Sequence, residues 1–260
     1  MRILLSFFFL FQLCAYAQKT ELIGEIVVPT GEFVGFDAHG LGYFIGANQS
    51  LSKAKNDELV QYQNLSFGRI GHVDLTNPLN IVVHYPDFNT VVMLDNQLNE
   101  IRSITFTNIT EYNITVAAAG NASQNRLWIF DSSSQQLGLY SYLSNDFRFL
   151  TQPIFREMLH YETNFNAFRW ISDQQQWLYC DVYGKISTVG EVPDFDHIAF
   201  VSESAVLYSS NGKLYFYNVN DQQPKAVDIS SNSIKRFHYN DQILSIFTEN
   251  GITNYKIILP

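Results

Sequence analysis

The feature that most constrains this chain is a hairpin unit that recurs along it. An apolar stretch of about five residues runs into a polar turn and returns as a second stretch. Residues 89–106 (NTVVMLDNQLNEIRSITF) and 125–143 (NRLWIFDSSSQQLGLYSYL) show it most clearly. Each places two apolar residues ahead of an Asp (Asp95, Asp131) and then a Leu (Leu98, Leu137) at the opening of the second strand. Looser copies occupy residues 176–189, 204–219 and 242–259, and a longer-looped one joins GYFIGA (42–47) to ELVQYQ (58–63). In two of them Asn211-Gly212 and Asn250-Gly251 mark two-residue turns with positive φ at both central positions. Turn centres near residues 52, 96, 133, 183, 211 and 250 recur at roughly 40 residues, the length of a four-stranded propeller blade.

That repeat predicts an all-β fold, a β-propeller of about six (five to seven) irregular four-stranded blades, with a β-sandwich as the alternative. Clear helices are nearly absent, and residues 18–260 read as a single propeller domain. The strand LIGEIVV (22–28) is expected to pair with the last blade near NYKIIL, which closes the ring and removes an exposed sheet edge. One segment departs from the pattern. In PIFREMLHY (153–161) a proline opens the stretch, and Phe155, Met158 and Leu159 fall at i, i+3 and i+4, which predicts a short amphipathic helix between blades. Its apolar face either packs on the protein's own sheets or docks a partner. With Trp170, these three residues are the partner-binding candidates.

The first 17 residues, MRILLSFFFLFQLCAYA, combine Arg2, an apolar run and Ala15-Tyr16-Ala17, and read as a signal peptide whose cleavage leaves Gln18 first. No later stretch approaches the roughly 20 apolar residues that span a bilayer. The expectation is therefore an exported protein, soluble or peripherally attached, with no integral membrane insertion. Cleavage removes Arg2 alone among charged residues, leaving 15 basic against 25 acidic residues, a charge of −10. With no basic cluster, nucleic acid is not an expected partner. Only Cys180 survives cleavage, so no internal disulfide can form. Its setting in WLYCDVY reads as a buried strand position rather than a reactive thiol.

The chain carries no motif for chemistry. Its six histidines (39, 72, 84, 160, 197, 238) show no HxH or HExxH spacing, and neither a G-x-S-x-G elbow nor a phosphate-cradling glycine loop occurs. No catalytic residue, metal or cofactor is expected. Asp194, Asp196 and His197 form the densest acid–imidazole group and read as an inter-blade loop, and FDAHGLGYF (36–44) reads as a turn entering a strand. Asp95 and Asp131 read as side chains that cap the turn backbone, since too few carboxylates follow them for calcium. Trp128 and Trp177 are expected in the core, whereas Trp170 could face a sugar. Asn-x-Ser/Thr sequons start at Asn48, Asn64, Asn108, Asn113 and Asn121, and matter only in a eukaryotic secretory pathway.

Behind an export signal ending Ala-Gln, VVMLDNQLNEI (91–101) and RLWIFDSSSQQLGLY (126–140) resemble segments of small periplasmic propeller-like proteins of Bacteroidota. Within that group the chain is similar to the Plug accessory subunits of the type IX secretion translocon. The resemblance implies a periplasmic subunit that associates peripherally with the outer membrane and seals the periplasmic end of the translocon barrel. A non-enzymatic interaction module, binding that barrel or another envelope protein, is the leading expectation. The alternatives are a propeller that binds glycans or glycopeptides, and a propeller hydrolase or lyase whose groups converge on the central channel.

Overall fold

The computed structural model describes residues 19–26, 31–55, 58–109, 113–229, 234–249 and 251–259. The signal-peptide reading for residues 1–17, and Asn250 of the last turn, lie outside them. The described residues form six four-stranded antiparallel sheets. Blade 1 comprises β2 (Glu32–Phe36), β3 (Gly42–Ile45), β4 (Leu51–Lys55) and β5 (Glu58–Tyr62), preceded in the chain by β1 (Lys19–Ile26). Blade 2 comprises β6 (His72–Asp74), β7 (Ile81–Tyr85), β8 (Thr90–Leu94) and β9 (Glu100–Thr105). Blade 3 holds β10 (Val116–Ala122), β11 (Arg126–Asp131), β12 (Gln136–Ser141) and β13 (Asp146–Phe149). Blade 4 holds β14 (Met158–Thr163), β15 (Ala167–Ser172), β16 (Gln176–Asp181) and β17 (Ile186–Glu191). Blade 5 holds β18 (His197–Phe200), β19 (Ala205–Ser210), β20 (Lys213–Asn218) and the short β21 (Lys225–Ala226). Blade 6 holds β22 (Arg236–Asn240), β23 (Ile243–Thr248) and β24 (Gly251–Ile258), and β1 is its fourth strand.

The ring closes as the sequence predicts: β1 pairs antiparallel with β24, from Lys19 opposite Ile258 to Ile26 opposite Ile252. Neighbouring blades meet through their first strands, with β10 against β6 and β14, and β22 against β2 and β18. Those first strands therefore surround the central axis. Because every sheet runs in chain order, the inter-blade connections and the turns between second and third strands share one face of the disk, here called the entry face.

Burial alternates along strands such as β2 and β18, whereas β7 and β8 are buried along their whole length. Trp128, Trp170, Trp177, Phe33, Tyr43, Phe106 and Phe168 are all fully buried between sheets, so aromatic volume fills the wedge between adjacent blades. Cys180 is buried in β16, and burial, aided by Asp181, pushes its thiol up to about 12. Trp170 offers no free face to a ligand.

The recurring Asp is a turn cap. Asp37 Oδ1 accepts from the His39 and Leu41 amides, Asp95 Oδ1 from Gln97 and Asn99, and Asp181 Oδ1 from Tyr183 and Lys185. Asp131 accepts from the Ser133 and Ser134 amides, and the Ser172 hydroxyl takes the same part in blade 4. Asn211 and Gly212 have φ of 52° and 72°, as a two-residue turn of this kind requires.

Three expectations need correction. Residues 153–161 contain no helix: residues 153–157 cross between blades without regular structure, and Met158 opens β14. Phe155, Met158 and Leu159 satisfy a helical spacing, but Phe155 and Leu159 stay exposed and Met158 pairs with Ser172 of β15, so the sheet decides. Leu98 is not a strand residue but the left-handed residue of the β8–β9 turn (φ 61°), buried because its side chain folds back onto the core of blade 2. Residue 52 is not a turn centre, since LSKAK forms β4 between the two strands foreseen there.

Candidate functional site

Two features lie at the axis and the entry face. The first is a set of titratable side chains on first strands: His72 from blade 2, His160 and Glu162 from blade 4, His197 from blade 5 and His238 from blade 6. Apart from His160 and Glu162, two residues apart on β14, they come from different blades, and their charges reach one another. His72 feels His160, Glu162 and Arg236; His197 feels His160 and Arg236; His238 feels Glu162. Protein surrounds Glu162, yet 31 % of its side chain and 29 % of that of His160 stay accessible, so both face a bore open to water.

Glu162 is held from three sides. His160 Nε2 lies 3.2 Å from Oε1, the Phe200 amide donates to the same oxygen at 3.2 Å, and Arg169 Nη2 approaches Oε2 at 3.3 Å. Burial works to raise the Glu162 pKa, but the hydrogen bond and charge of His160, with Arg169 and the Phe200 amide, hold it below the ordinary range. Because a carboxylate only accepts, the pairing puts a proton on His160 Nε2. A carboxylate-oriented imidazole is a proton-transfer arrangement. Arg169 also lies over the Phe200 ring, 4.9 Å from its centroid.

Burial disfavours the cationic form of the other imidazoles. It pushes His72 and His238 down to about 4 and lowers His197. His238 packs against Phe33 and Phe36 beside Gly35, where a Cβ would come within 2.8 Å of the imidazole. The His72 ring lies 4.6 Å from that of Tyr161, which stacks on Phe168 and accepts a hydrogen bond from the Ala119 amide. At the opposite end of the axis, buried Asp74 accepts from the Asn121 amide (2.6 Å), Asn121 Nδ2 (3.0 Å) and the Thr163 hydroxyl (3.1 Å), tying blades 2, 3 and 4 together. Asn121 is thus buried and bonded, and its sequon cannot present an acceptor.

The second feature is a cavity of about 470 Å³ on the entry face between blades 3 and 4. Ala117, Ala118, Phe130, Ile154, Phe155 and Met158 supply its apolar wall, and Ser132, Gln135, Arg156, Glu157 and Tyr161 its polar groups. Its size and lining suit a ligand site. Of the partner-binding candidates, Phe155 and Met158 meet here. Leu159 is exposed beside them, and Trp170 lies in the core cluster beneath. Two bulges frame the cavity: the register skips Ala117 between Val116 and Ala118, and Leu159 between Met158 and His160.

Asp194 and Asp196 sit in the loop before β18, accepting from Gln175 and from the Asn211 amide, and only His197 of that group joins the axial set. The axial histidines carry no short motif, but their spacing contains a signal. His160, His197 and His238 are 37 and 41 residues apart, and His72 precedes His160 by 88, about two repeats. Among the described residues no three His, Cys, Asp or Glu side chains are placed to hold a metal ion, and no helix is long and apolar enough to cross a membrane.

The sequence matches no protein-family profile and no curated protein. Solved structures do match. The β-propeller domain of Myceliophteria thermophila Cps50 (Swd1) aligns over 92% of this chain and 100% of its own, at 10% identity and TM-score 0.59. The chain is a six-bladed β-propeller. A catalytically inactive histidine-to-alanine variant of virginiamycin B lyase from Staphylococcus aureus, solved with quinupristin, aligns over 92% of this propeller and 88% of its own length, at 10% identity and TM-score 0.56. The extracellular domain of a putative one component system from B. thetaiotaomicron aligns over 90% of this propeller and 40% of that chain, at 10% identity and TM-score 0.52. At such identities the likeness extends to the fold alone.

Proposed function

We propose that this propeller is a non-enzymatic interaction module of the cell envelope. In this reading it is exported to the periplasm, associates peripherally with the outer membrane and seals the periplasmic end of a type IX secretion barrel. The observation that carries it is the entry-face cavity, over which Phe155 stands 78 % exposed with Leu159 beside it. Exposed apolar side chains are scattered over this surface, but Phe155 and Leu159 stand beside an open cavity, which supports a surface that a partner covers. The closed ring and the Asp74 clasp support a rigid platform for such a contact, and the translocon barrel enters this reading through the resemblance of residues 91–101 and 126–140 alone. Affinity purification of the tagged protein from mild-detergent extracts of its host tests this. Stoichiometric recovery with a very large outer-membrane barrel supports it, and recovery as a lone monomer overturns it.

The His160–Glu162 pair favours a second reading, a propeller lyase or hydrolase acting in the bore. Turnover of a candidate substrate that is lost in both His160→Ala and Glu162→Gln, with folding intact, would establish it in place of the first.

A further inference from the structure

The entry-face cavity also constrains what fills it, and the following step rests on the interaction-module reading. The geometry points to a docking seat for an extended segment of a partner protein that carries one large apolar side chain flanked by an acid and a base. The apolar side chain follows from the wall, where Phe130, Ile154, Phe155 and Met158 line a space of about 470 Å³. The extended backbone follows from the bulges. Ala117, which the β10 bulge leaves without a ladder partner in its own blade, lines the cavity and gives an extended peptide backbone an irregular strand edge to lie along.

The charges follow from the rim. Arg156 and Glu157 stand side by side at the cavity and are exposed, and neither joins an ion pair among the described residues. Three other cations of this face are engaged, Arg69 with Asp87, Lys235 with Glu249 and Arg236 with Glu32, while Lys213 in blade 5 is exposed and does not line the cavity. A rim with one unpaired cation beside one unpaired anion complements a segment of the opposite order. Such pairs add little affinity in water, but they fix orientation and exclude wrong partners.

The test uses the intact mature chain to select from a random peptide library displayed on phage. The expected consensus is a large apolar residue with an acid on one side and a base on the other. Phe155→Ala should weaken the selected peptides by about tenfold or more. The decisive variant exchanges the charges, Arg156→Glu with Glu157→Arg, and should select peptides with acid and base in reversed order, which a merely misfolded protein could not do. A consensus without flanking charges, or an order unchanged by the exchange, overturns the proposal. The two readings separate cleanly. If the envelope complex is recovered equally well with Phe155→Ala and with the charge exchange, the interaction module stands and this seat falls. If the reversal is seen but no envelope complex forms, the seat stands and its assignment to the barrel falls.

Discussion

Acid should weaken this fold well above the range where its carboxylates protonate, and His84 is the place to measure it. His84 is 3 % exposed in β7, opposite His72 across the sheet; its Nε2 has no hydrogen-bond partner and its ring bonds the backbone of Val116. Burial, with smaller contributions from His72 and Arg69, pushes its pKa down to about 4, against an ordinary value of about 6.5. The unfolded chain then binds the proton more readily than the folded one. The stability contributed by neutral His84 is intact above about pH 6.5 and is lost as the pH falls toward about 4. Integrating between those values, this one residue removes about 2 kcal/mol by about pH 5, a large part of the 5–15 kcal/mol typical of a domain.

The comparison is urea unfolding of the native protein and of His84→Leu at about pH 7.5 and about pH 5, followed by fluorescence of the three buried tryptophans. At the higher pH the variant should be less stable by about 1 kcal/mol for the lost hydrogen bond. At the lower pH the order should invert, because leucine has nothing to protonate. Equal acid losses in the two proteins would refute the reasoning, since the destabilisation would then come from other groups.

The remaining predictions concern packing. Gly120→Ala places a Cβ 2.0 Å from the Thr163 hydroxyl and 2.8 Å from its methyl, and should cost roughly 1–3 kcal/mol by overpacking, read as a lower thermal midpoint. Asp74→Ala leaves the Asn121 and Thr76 amides and the Thr163 hydroxyl without their acceptor, and should cost about 3 kcal/mol or more, with amide exchange rising first in blades 2 to 4. Cys180 should resist a thiol reagent in the native protein and react at once in urea; fast native labelling would contradict its burial.

The propeller and its count of about six (five to seven) blades were legible because they depend on local signals, namely alternation along a strand, Asn-Gly turns and an Asp that caps its own loop, and the closing strand followed because a ring left open exposes a sheet edge. β4 was missed because LSKAK has little apolar content, although Leu51 and Lys53 are both fully enclosed, Lys53 reaching the Asn96 carbonyl of the next blade. Residues 153–161 misled because Phe155, Met158 and Leu159 satisfy a helical period by spacing alone, while the pairing of Met158 with Ser172 belongs to residues far along the chain. The axial set was hidden for the same reason. Nothing near His160 indicates His72 or His238, and only the propeller geometry converts a spacing of one repeat into proximity across a bore.

The junction of β1 with β24 also governs when the molecule can exist. Lys19 and Ile258, opposite one another in the finished sheet, are 239 residues apart in the chain. A chain emerging amino end first from a ribosome must hold β1 unpaired until β24 arrives. Each earlier blade can assemble as it appears, but the ring cannot lock, so a stalled or clipped chain presents two open sheet edges to its surroundings. The β1–β24 pairing thus ties the completion of the ring to the presence of both strands, and a copy that lacks either one keeps that edge of blade 6 open.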